Sequence, residues 1–327
     1  MIEEILPSLY RLEIPLPNSP LKAVNSYVIK APGRNLIIDT GMNRTECLAA
    51  MQSGLEKLGV DLRRTDFFIT HMHADHSGLV SELAAKTSLI YCSGPDAGMI
   101  SPVFSPEEFL RHITDFARMV GFPEKVLQKA LLQHPGFKYS ARGRLEFRLV
   151  KEGDTISIGG YTFSCVETPG HTGGHMCLHE PGRKILVSGD HILGDITPNI
   201  SSWSDEGNPL QEYMASLDKV SVLDIDIVLP GHRSIINNCR ERIKELKLHH
   251  RERTEEVLSI LKHGSRDPYQ VASEMSWDMT YDSWDLFPAP QKWFATGEAI
   301  AHLKYLEEKH VIKREVQNQK VMFYLSA

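Results

Sequence analysis

Three histidines and an aspartate lie within six consecutive residues, in the segment His71-Met72-His73-Ala74-Asp75-His76. A strand-like run ends just before this segment and a helix-like run follows it. His71 and His73 can therefore point to one place, while Asp75 and His76 point to a second. Imidazoles and carboxylates are suitable ligands for dications such as zinc. Four residues so close in sequence can hardly surround one ion, so the segment predicts two ions that share more distant ligands.

Three later strand-like runs end in the same way, with a polar residue beside a glycine. His171 in TPGH follows YTFSCVE, Asp190 in SGD follows KILV, and His232 in PGH follows DIV. These residues are the candidates for the missing ligands. Three further histidines lie near the motifs but outside them, and structural or supporting roles are expected for them: His175, His179 and His191.

In this order and at these intervals, HMHADH, TPGHTGGH, SGD and PGH resemble the motifs of the metallo-β-lactamase superfamily over about residues 8 to 240. The resemblance implies a first set of metal ligands, a second set and one bridging carboxylate: His71, His73 and His171; Asp75, His76 and His232; Asp190. Asp39, in IIDTG, is similar to the family's aspartate that steadies the ligand cluster.

The resemblance also implies a metal-dependent hydrolase in which two divalent ions share a hydroxide that attacks the substrate. Asp75 would steer this hydroxide or take its proton, which makes it the candidate catalytic residue. Zinc is the first expectation for both ions. A site rich in histidine and aspartate and free of cysteine also accepts iron or manganese.

Three functions stay open on the sequence. The first is hydrolysis of a small-molecule ester, thioester or lactone, favoured by an apolar helical insertion and a net charge of -6. The second is endoribonuclease or phosphodiesterase activity, indicated only by the C-terminal tail. The third is a non-enzymatic metal-binding regulatory protein, which is disfavoured because all seven ligand types are present. Natural β-lactamase activity is also disfavoured, since those enzymes commonly carry Cys or His where Asp190 stands.

The elements that position these residues alternate between strand-like and helix-like runs. Strands are predicted over 25–30, 35–39 and 66–70, and helices over 45–58 and 77–86. Together with the resemblance, this predicts an α/β protein with an αββα metallo-β-lactamase sandwich as the catalytic domain, residues 1–240. A helical insertion over about 95–142 is either a hairpin packed on the core or a cap over the site.

The remaining residues, 241–327, read as three helices followed by a strand hairpin, the outline of a smaller α+β winged-helix-like domain. Lysine and arginine number 14 from Arg240 onward, and aspartate and glutamate also number 14. Without a basic excess, nucleic acid is not indicated as a partner, although it is not excluded. A packing module or a homodimer contact is the other interpretation. His249, His250 and His263 are expected to be exposed on the charged first helix.

The composition is that of an ordinary globular protein, with 42% hydrophobic and 24% charged residues. No apolar run approaches the ~18 residues that a membrane span requires, and the N-terminus lacks the pattern of a secretory signal. The five cysteines are scattered, without a CxxC pair. We interpret them as reduced thiols, and the sequence therefore predicts a cytoplasmic protein with no membrane partner.

Overall fold

The computed structural model describes residues 1–101 and 106–326. The strands are Ile2–Leu6 (β1), Leu9–Pro15 (β2), Ala23–Ile29 (β3), Asn35–Ile38 (β4), Thr65–Phe68 (β5), Ile90–Ser93 (β6), Arg148–Val150 (β7), Thr155–Ile158 (β8), Tyr161–Glu167 (β9), Met176–Glu180 (β10), Ile185–Gly189 (β11), Ile227–Pro230 (β12), Ile312–Gln317 (β13) and Lys320–Leu325 (β14). The helices are Thr45–Leu58 (α1), Ala74–Ser77 (α2), Val80–Leu83 (α3), Gly94–Ile100 (α4), Pro106–Met119 (α5), Glu124–Gln133 (α6), Pro135–Lys138 (α7), Pro209–Ser221 (α8), Cys239–Leu261 (α9), Pro268–Glu274 (α10) and Ala289–Glu308 (α11).

The contacts divide the described chain into two compact units. The first holds residues 1–101, 139–198 and 216–243, and the second holds 106–138, 199–215 and 244–326. Most of the predicted helical insertion thus groups with the C-terminal residues. The domain boundary expected near residue 240 and the role of the insertion as a cap stay predictions.

The first unit contains two sheets, as the sequence predicted for an α/β sandwich. One has seven strands in the order β1 to β7, and the other has five in the order β12-β11-β10-β9-β8. Successive residues of a strand face opposite sides. Phe67 therefore joins a core that includes α1, while Phe68 joins a second core shared with residues of the five-stranded sheet, such as Phe163. Burial on both faces explains the continuous apolar runs of these strands.

Parallel pairing places the ends of the important strands at one edge of each sheet. β4 pairs with β5, and β11 pairs with β12, both in parallel. The residues after β4 and β5 consequently lie side by side, as do those after β11 and β12. Two backbone hydrogen bonds then connect the two edges, from Met176 N–H to Thr70 O at 2.9 Å and from Asn25 N–H to Gly231 O at 2.7 Å.

The prediction of one helix over residues 77–86 has the wrong bounds. The chain instead forms two single turns, α2 and α3, and α2 already begins at Ala74. Gly78 lies between them, in close contact with backbone atoms of other segments. A Cβ there would lie 2.5 Å from Tyr139 O and 2.7 Å from Asn43 N. This approach is possible only for glycine.

The second unit has the predicted order of three helices and a hairpin, from α9 to β14. Its main core joins α9, α10, α11 and the hairpin, with Leu303 and Phe323 buried at its centre. The insertion helices pack on α11 through a smaller aromatic cluster, in which Trp203 stacks on Trp293 with ring centroids 3.5 Å apart. Among the described residues, no helix combines the length and apolar character that crossing a membrane requires.

The expectation that His250 is exposed is wrong, because α9 buries this residue against the rest of the second unit. His250 is 2% exposed, and its Nδ1 lies 3.2 Å from Nε2 of the fully buried His302. Nδ1 of His302 donates to the Glu298 carbonyl at 2.8 Å. Burial is the main cause that lowers the pKa of His302, to about 3. His263 is exposed as expected.

His302 gives the second unit a pH-dependent stability. The unfolded imidazole binds a proton near pH 6.5, but the folded one stays neutral down to about pH 3. The unfolded state therefore holds more protons in this window, and stability is lost as the pH falls below 6.5. In His302→Asn, we expect the slope of unfolding free energy against pH to decrease by up to about 1.4 kcal/mol per pH unit between about pH 4 and 6. Urea titrations at several pH values measure this slope, with the exposed His263→Gln as control. An unchanged slope in His302→Asn would contradict the assignment.

Candidate metal centre

The structure brings all seven predicted ligand residues together at the shared edge of the two sheets, within the first unit. They form three overlapping groups, and within each group one nitrogen or oxygen atom per residue lies within 4.8 Å of the others. The groups are His71, His73 and His171; His71, His76 and Asp190; Asp75, His76 and His232. These groups could hold metal ions. That the residues bind two ions stays a prediction.

In the first group, three imidazole nitrogens converge. Nδ1 of His73 lies 3.2 Å from Nε2 of His71 and 3.0 Å from Nε2 of His171. Nδ1 of His71 lies 3.0 Å from the hydroxyl of Thr70, which itself donates to Asp39 at 2.7 Å. Because the hydroxyl hydrogen is used in this way, Nδ1 of His71 carries the ring hydrogen. The lone pair is then on the inward Nε2.

In the second group, the two histidines again direct Nε2 inward. Nε2 of His76 lies 3.4 Å from Nε2 of His232, which lies 3.4 Å from Oδ2 of Asp75. The outward nitrogens are hydrogen-bonded: Nδ1 of His76 to Asp39 at 2.7 Å, and Nδ1 of His232 to the Ala23 carbonyl at 2.7 Å. A carbonyl only accepts, so Nδ1 of His232 carries a hydrogen, and Nε2 is the nitrogen of this ring that could bind a metal ion.

Asp190 connects the two groups. Its Oδ1 lies 3.4 Å from Nε2 of His76, and its Oδ2 lies 3.6 Å from Nε2 of His171 and 3.5 Å from Nε2 of His232. The side chain is 8% exposed. One carboxylate thus faces nitrogens of both groups.

The charges of this site favour a cation at its centre. Burial lowers the pKa of His76, but the carboxylates of Asp190 and Asp39 outweigh that effect and raise it well above its usual range. The same balance, with Asp190 and Asp75, raises the pKa of His232 to about 10. Burial and the neighbouring imidazoles lower the pKa of His73 to about 3. The carboxylates therefore attract positive charge, while His71 and His73, whose pKa values are lowered, present neutral nitrogens.

The residues present fit divalent metal ions. Lone pairs on inward imidazole nitrogens and two carboxylates are the donor set that zinc, iron and manganese accept in proteins. Hydrogen bonds on the outer nitrogens are the usual supports of metal-binding histidines, because they fix the ring and its tautomer. His71, His76 and His232 all have such a support.

Some supporting residues were not found from the sequence. Asn25 donates from Nδ2 to the carbonyls of Pro230 and Arg233, both at 3.0 Å, and the hydroxyl of Tyr27 donates to Pro230 O at 2.8 Å. These bonds fasten the turn that carries His232 to β3. The sequence offered one signal, a polar asparagine in the otherwise strand-like run NSYVIK. By itself, such a residue does not indicate a site.

The three neighbouring histidines lie outside the ligand groups. His175 is buried, and its Nδ1 lies 2.8 Å from the hydroxyl of Thr168. Its Nε2 accepts the backbone N–H of Asp190 at 3.1 Å. His175 thereby supports the backbone of Asp190, and its ring stacks on that of His71 with centroids 5.1 Å apart. His179 and His191 are also buried.

Asp39 supports both groups, so its replacement has a defined expected effect. Its Oδ1 accepts the Thr70 N–H at 2.9 Å, and its Oδ2 accepts from Thr70 and His76. Asn at this position tolerates the left-handed backbone, φ 58°, but its amide would face the Nδ1 hydrogen of His76. The ring hydrogen would then move to Nε2 and occupy the inward lone pair.

For Asp39→Asn we expect metal affinity and activity to fall about 10- to 100-fold. Competition with a chromogenic chelator measures the affinity. Affinity equal to that of the wild type would show that the tautomer of His76 does not depend on Asp39.

Family models match most of this chain. The model described as "Metallo-beta-lactamase superfamily" matches residues 20–232. A second model, "Metallo-beta-lactamase-like, C-terminal domain", matches residues 285–327. The first match contains all seven residues of the three groups.

Similar proteins include the probable metallo-hydrolase YqjP of Bacillus subtilis, 26% identical over 306 residues, which are 91% of this chain and 92% of that protein. The Beta-lactamase-like protein 2 homolog of Caenorhabditis elegans is 27% identical over 74% of this chain and 66% of that protein. Atrochrysone carboxyl ACP thioesterase of Aspergillus fumigatus is 26% identical over 77% of this chain and 64% of that protein. The chain thus spans slightly less than two thirds of the length of the latter two.

Among solved structures, a metallo-beta-lactamase family protein from Thermus thermophilus is similar over 99% of this chain and 100% of its own, with a TM-score of 0.83 and 26% identity. A Beta-lactamase domain protein from Burkholderia ambifaria covers 99% of this chain and 95% of its own, with a TM-score of 0.80 and 23% identity. The C-terminal part of the fold is therefore shared as well as the sandwich.

Proposed function

This chain belongs to the metallo-beta-lactamase superfamily, and we propose that it is a hydrolase of small esters, thioesters or lactones that works with two divalent metal ions. The observation that supports this most strongly is the convergence of seven donor side chains in two groups connected by Asp190. His71, His73 and His171 would hold one ion. Asp75, His76 and His232 would hold the other.

Divalent ions held there would supply Lewis acidity and a hydrolytic nucleophile at neutral pH. The chain itself orients the ligands through Asp39, Asn25 and Ala23, and each of these supports lies outside the ligand groups. Zinc fits this donor set, and iron or manganese would fit it too.

Asp75 is the proposed catalytic residue. Its Oδ2 lies 3.4 Å from Nε2 of His232, and its side chain is 12% exposed, more than that of Asp190. A carboxylate with this partial access can orient the attacking water and accept its proton at the second oxygen. Nearby imidazoles hold its pKa well below the usual range, although burial opposes them. Asp75 is therefore ionised, and its oxygens can accept hydrogen bonds from the attacking water.

The choice of a carbonyl substrate rests on two considerations. A relative similar over 77% of this chain is named a thioesterase. The chain also carries a net charge of -6, and the C-terminal residues have no basic excess, so a polyanionic substrate has little electrostatic attraction.

A substrate panel tests the proposal. Purified protein loaded with Zn²⁺, and in parallel with Mn²⁺ or Fe²⁺, is incubated with acyl thioesters, lactones, aryl esters, phosphodiesters and single-stranded RNA. The same panel is run with Asp190→Ala as the blank. We expect turnover of one of the carbonyl classes that is absent from the blank.

Cleavage of RNA or phosphodiesters alone would overturn the choice of substrate and favour the nuclease alternative. Binding of two ions without turnover of any class would instead favour a non-enzymatic role. Failure to bind metal would overturn the proposed function itself.

A further inference from the structure

Asp96 connects the two turns that carry the first group of predicted ligands. It lies in α4, within the first unit, and is 2% exposed. Its Oδ2 accepts the Met72 N–H at 2.8 Å and the Thr172 hydroxyl at 2.6 Å. Its Oδ1 accepts the Gly174 N–H at 2.9 Å. One buried carboxylate therefore binds a residue between His71 and His73 and two residues that follow His171.

Gly174 packs so closely against Asp96 that no larger side chain fits at this position. A Cβ at Gly174 would lie 2.6 Å from Oδ1 of Asp96 and 2.7 Å from its backbone nitrogen. The adjacent Gly173 has no atom within 4 Å of its Cβ position. The second glycine of the pair is thus required for contact with Asp96, and the first is not.

None of the seven ligand side chains is a hydrogen-bond partner of Asp96 in these contacts. Its effect must pass through the backbone of the two turns. The turn with His71 and His73 follows the seven-stranded sheet, while His171 follows β9 of the five-stranded sheet. A shift between the two sheets would separate His73 from His171, whose nitrogens are 3.0 Å apart.

We infer that Asp96 is a positioning residue that fixes the distance between these two turns and so the geometry of the His71, His73 and His171 group. The inference rests on the proposed metal centre for its functional meaning. The hydrogen bonds from Asp96 to the two turns do not depend on bound metal.

Asp96→Asn is the sharpest variant because it keeps the size of the side chain. The three donors need three acceptor positions, and an amide nitrogen on either side would face a backbone N–H of Met72 or Gly174. Asp66→Asn is the matched control, since Asp66 is also a buried carboxylate that accepts a backbone N–H, from Leu89, and it pairs with Arg34. It has no contact with either turn among those described above.

Two measurements separate positioning from general stability. The first is binding of Co²⁺, with its visible absorption spectrum as a report on ligand geometry. The second is hydrogen exchange of the Met72 and Gly174 amides in the metal-free protein. For Asp96→Asn we expect about 10- to 100-fold weaker binding of one ion, an altered Co²⁺ spectrum and faster exchange of both amides. Asp66→Asn should match the wild type in all three.

Wild-type affinity, spectrum and exchange in Asp96→Asn would overturn the inference. If the wild type binds no Co²⁺, the proposed function fails, but the exchange rates still decide whether Asp96 ties the two turns. Equal losses in Asp66→Asn would also overturn the inference, because the effect would then be one of general stability.

A second set of variants covers the case in which Asp96→Asn does not fold. Thr172→Val removes one donor to Asp96, whereas Thr172→Ser keeps the hydroxyl and should restore wild-type Co²⁺ binding. Gly174→Ala should weaken Co²⁺ binding, while Gly173→Ala should not. Equal behaviour within both pairs would contradict the positioning role.

Discussion

Asp190→Ala is expected to lower kcat/KM of the proposed hydrolase by about 10³-fold or more. The carboxylate faces nitrogens of both ligand groups, at 3.4 to 3.6 Å, so its loss affects both. Metal ions contribute several kcal/mol to catalysis, and each 1.4 kcal/mol is about tenfold in rate. Bound metal should fall from about two ions per chain to about one or none. Kinetics on the best substrate of the panel and metal analysis of the dialysed protein measure both effects.

The exposed Asp226→Ala is a suitable control, because Asp226 lies outside the three groups. It should keep both the activity and the metal content. Full metal content and activity in Asp190→Ala would exclude a bridging role for this carboxylate. Loss of activity with both ions retained would limit its role to the chemical step.

Gly231→Ala is expected to have the second large effect, although glycine offers no ligand. Its added Cβ would lie 2.5 Å from Oδ1 of Asp190 and 2.6 Å from Cε1 of His76. It would also lie 3.2 Å from the Gly189 carbonyl, which is backbone and cannot move aside easily. Relief of this overlap must separate Asp190 from His76, two members of one candidate metal group.

For Gly231→Ala we expect a loss of about 1 to 3 kcal/mol in the free energy of unfolding, together with loss of metal binding and activity approaching that of Asp190→Ala. Denaturant titration of the metal-free protein isolates the steric part. Gly98→Ala is the control, since no atom lies within 4 Å of its Cβ position. Unchanged metal affinity in Gly231→Ala would mean that the His232 turn can shift without disturbing the ligands.

Much of this arrangement could be predicted from the sequence because the ligand candidates follow one local rule. Each lies in a turn that follows an apolar strand, and parallel pairs such as β4–β5 and β11–β12 bring strand ends to one edge. The helix over 45–58 could also be predicted, and it is found with those bounds, ending at Gly59 in the left-handed conformation. These features depend on short stretches of chain, where side-chain period and turn chemistry decide the structure.

What the sequence did not reveal depends on partners far along the chain. Asp96 lies in GPDAG, an unremarkable helix start, and its significance comes from Thr172 and Gly174, whose turn is 76 to 78 residues away. His250 looked exposed because charged residues surround it in LKLHHRERTEEVL, yet its neighbour His302 is 52 residues away. No local pattern encodes such contacts, so burial and hydrogen bonding at these positions follow only from the fold.

The position of the candidate ligand groups between the two sheet edges has a consequence for folding kinetics. His73 and His171 are 98 residues apart, and His76 and His232 are 156 apart, so each ligand group takes members from both sheets. An unfolded chain therefore has no preformed site, and closing these long loops must precede tight metal binding. We expect bound ions to slow unfolding by holding the sheets together. The rate at which the sheets first meet should depend on chain topology and not on metal concentration.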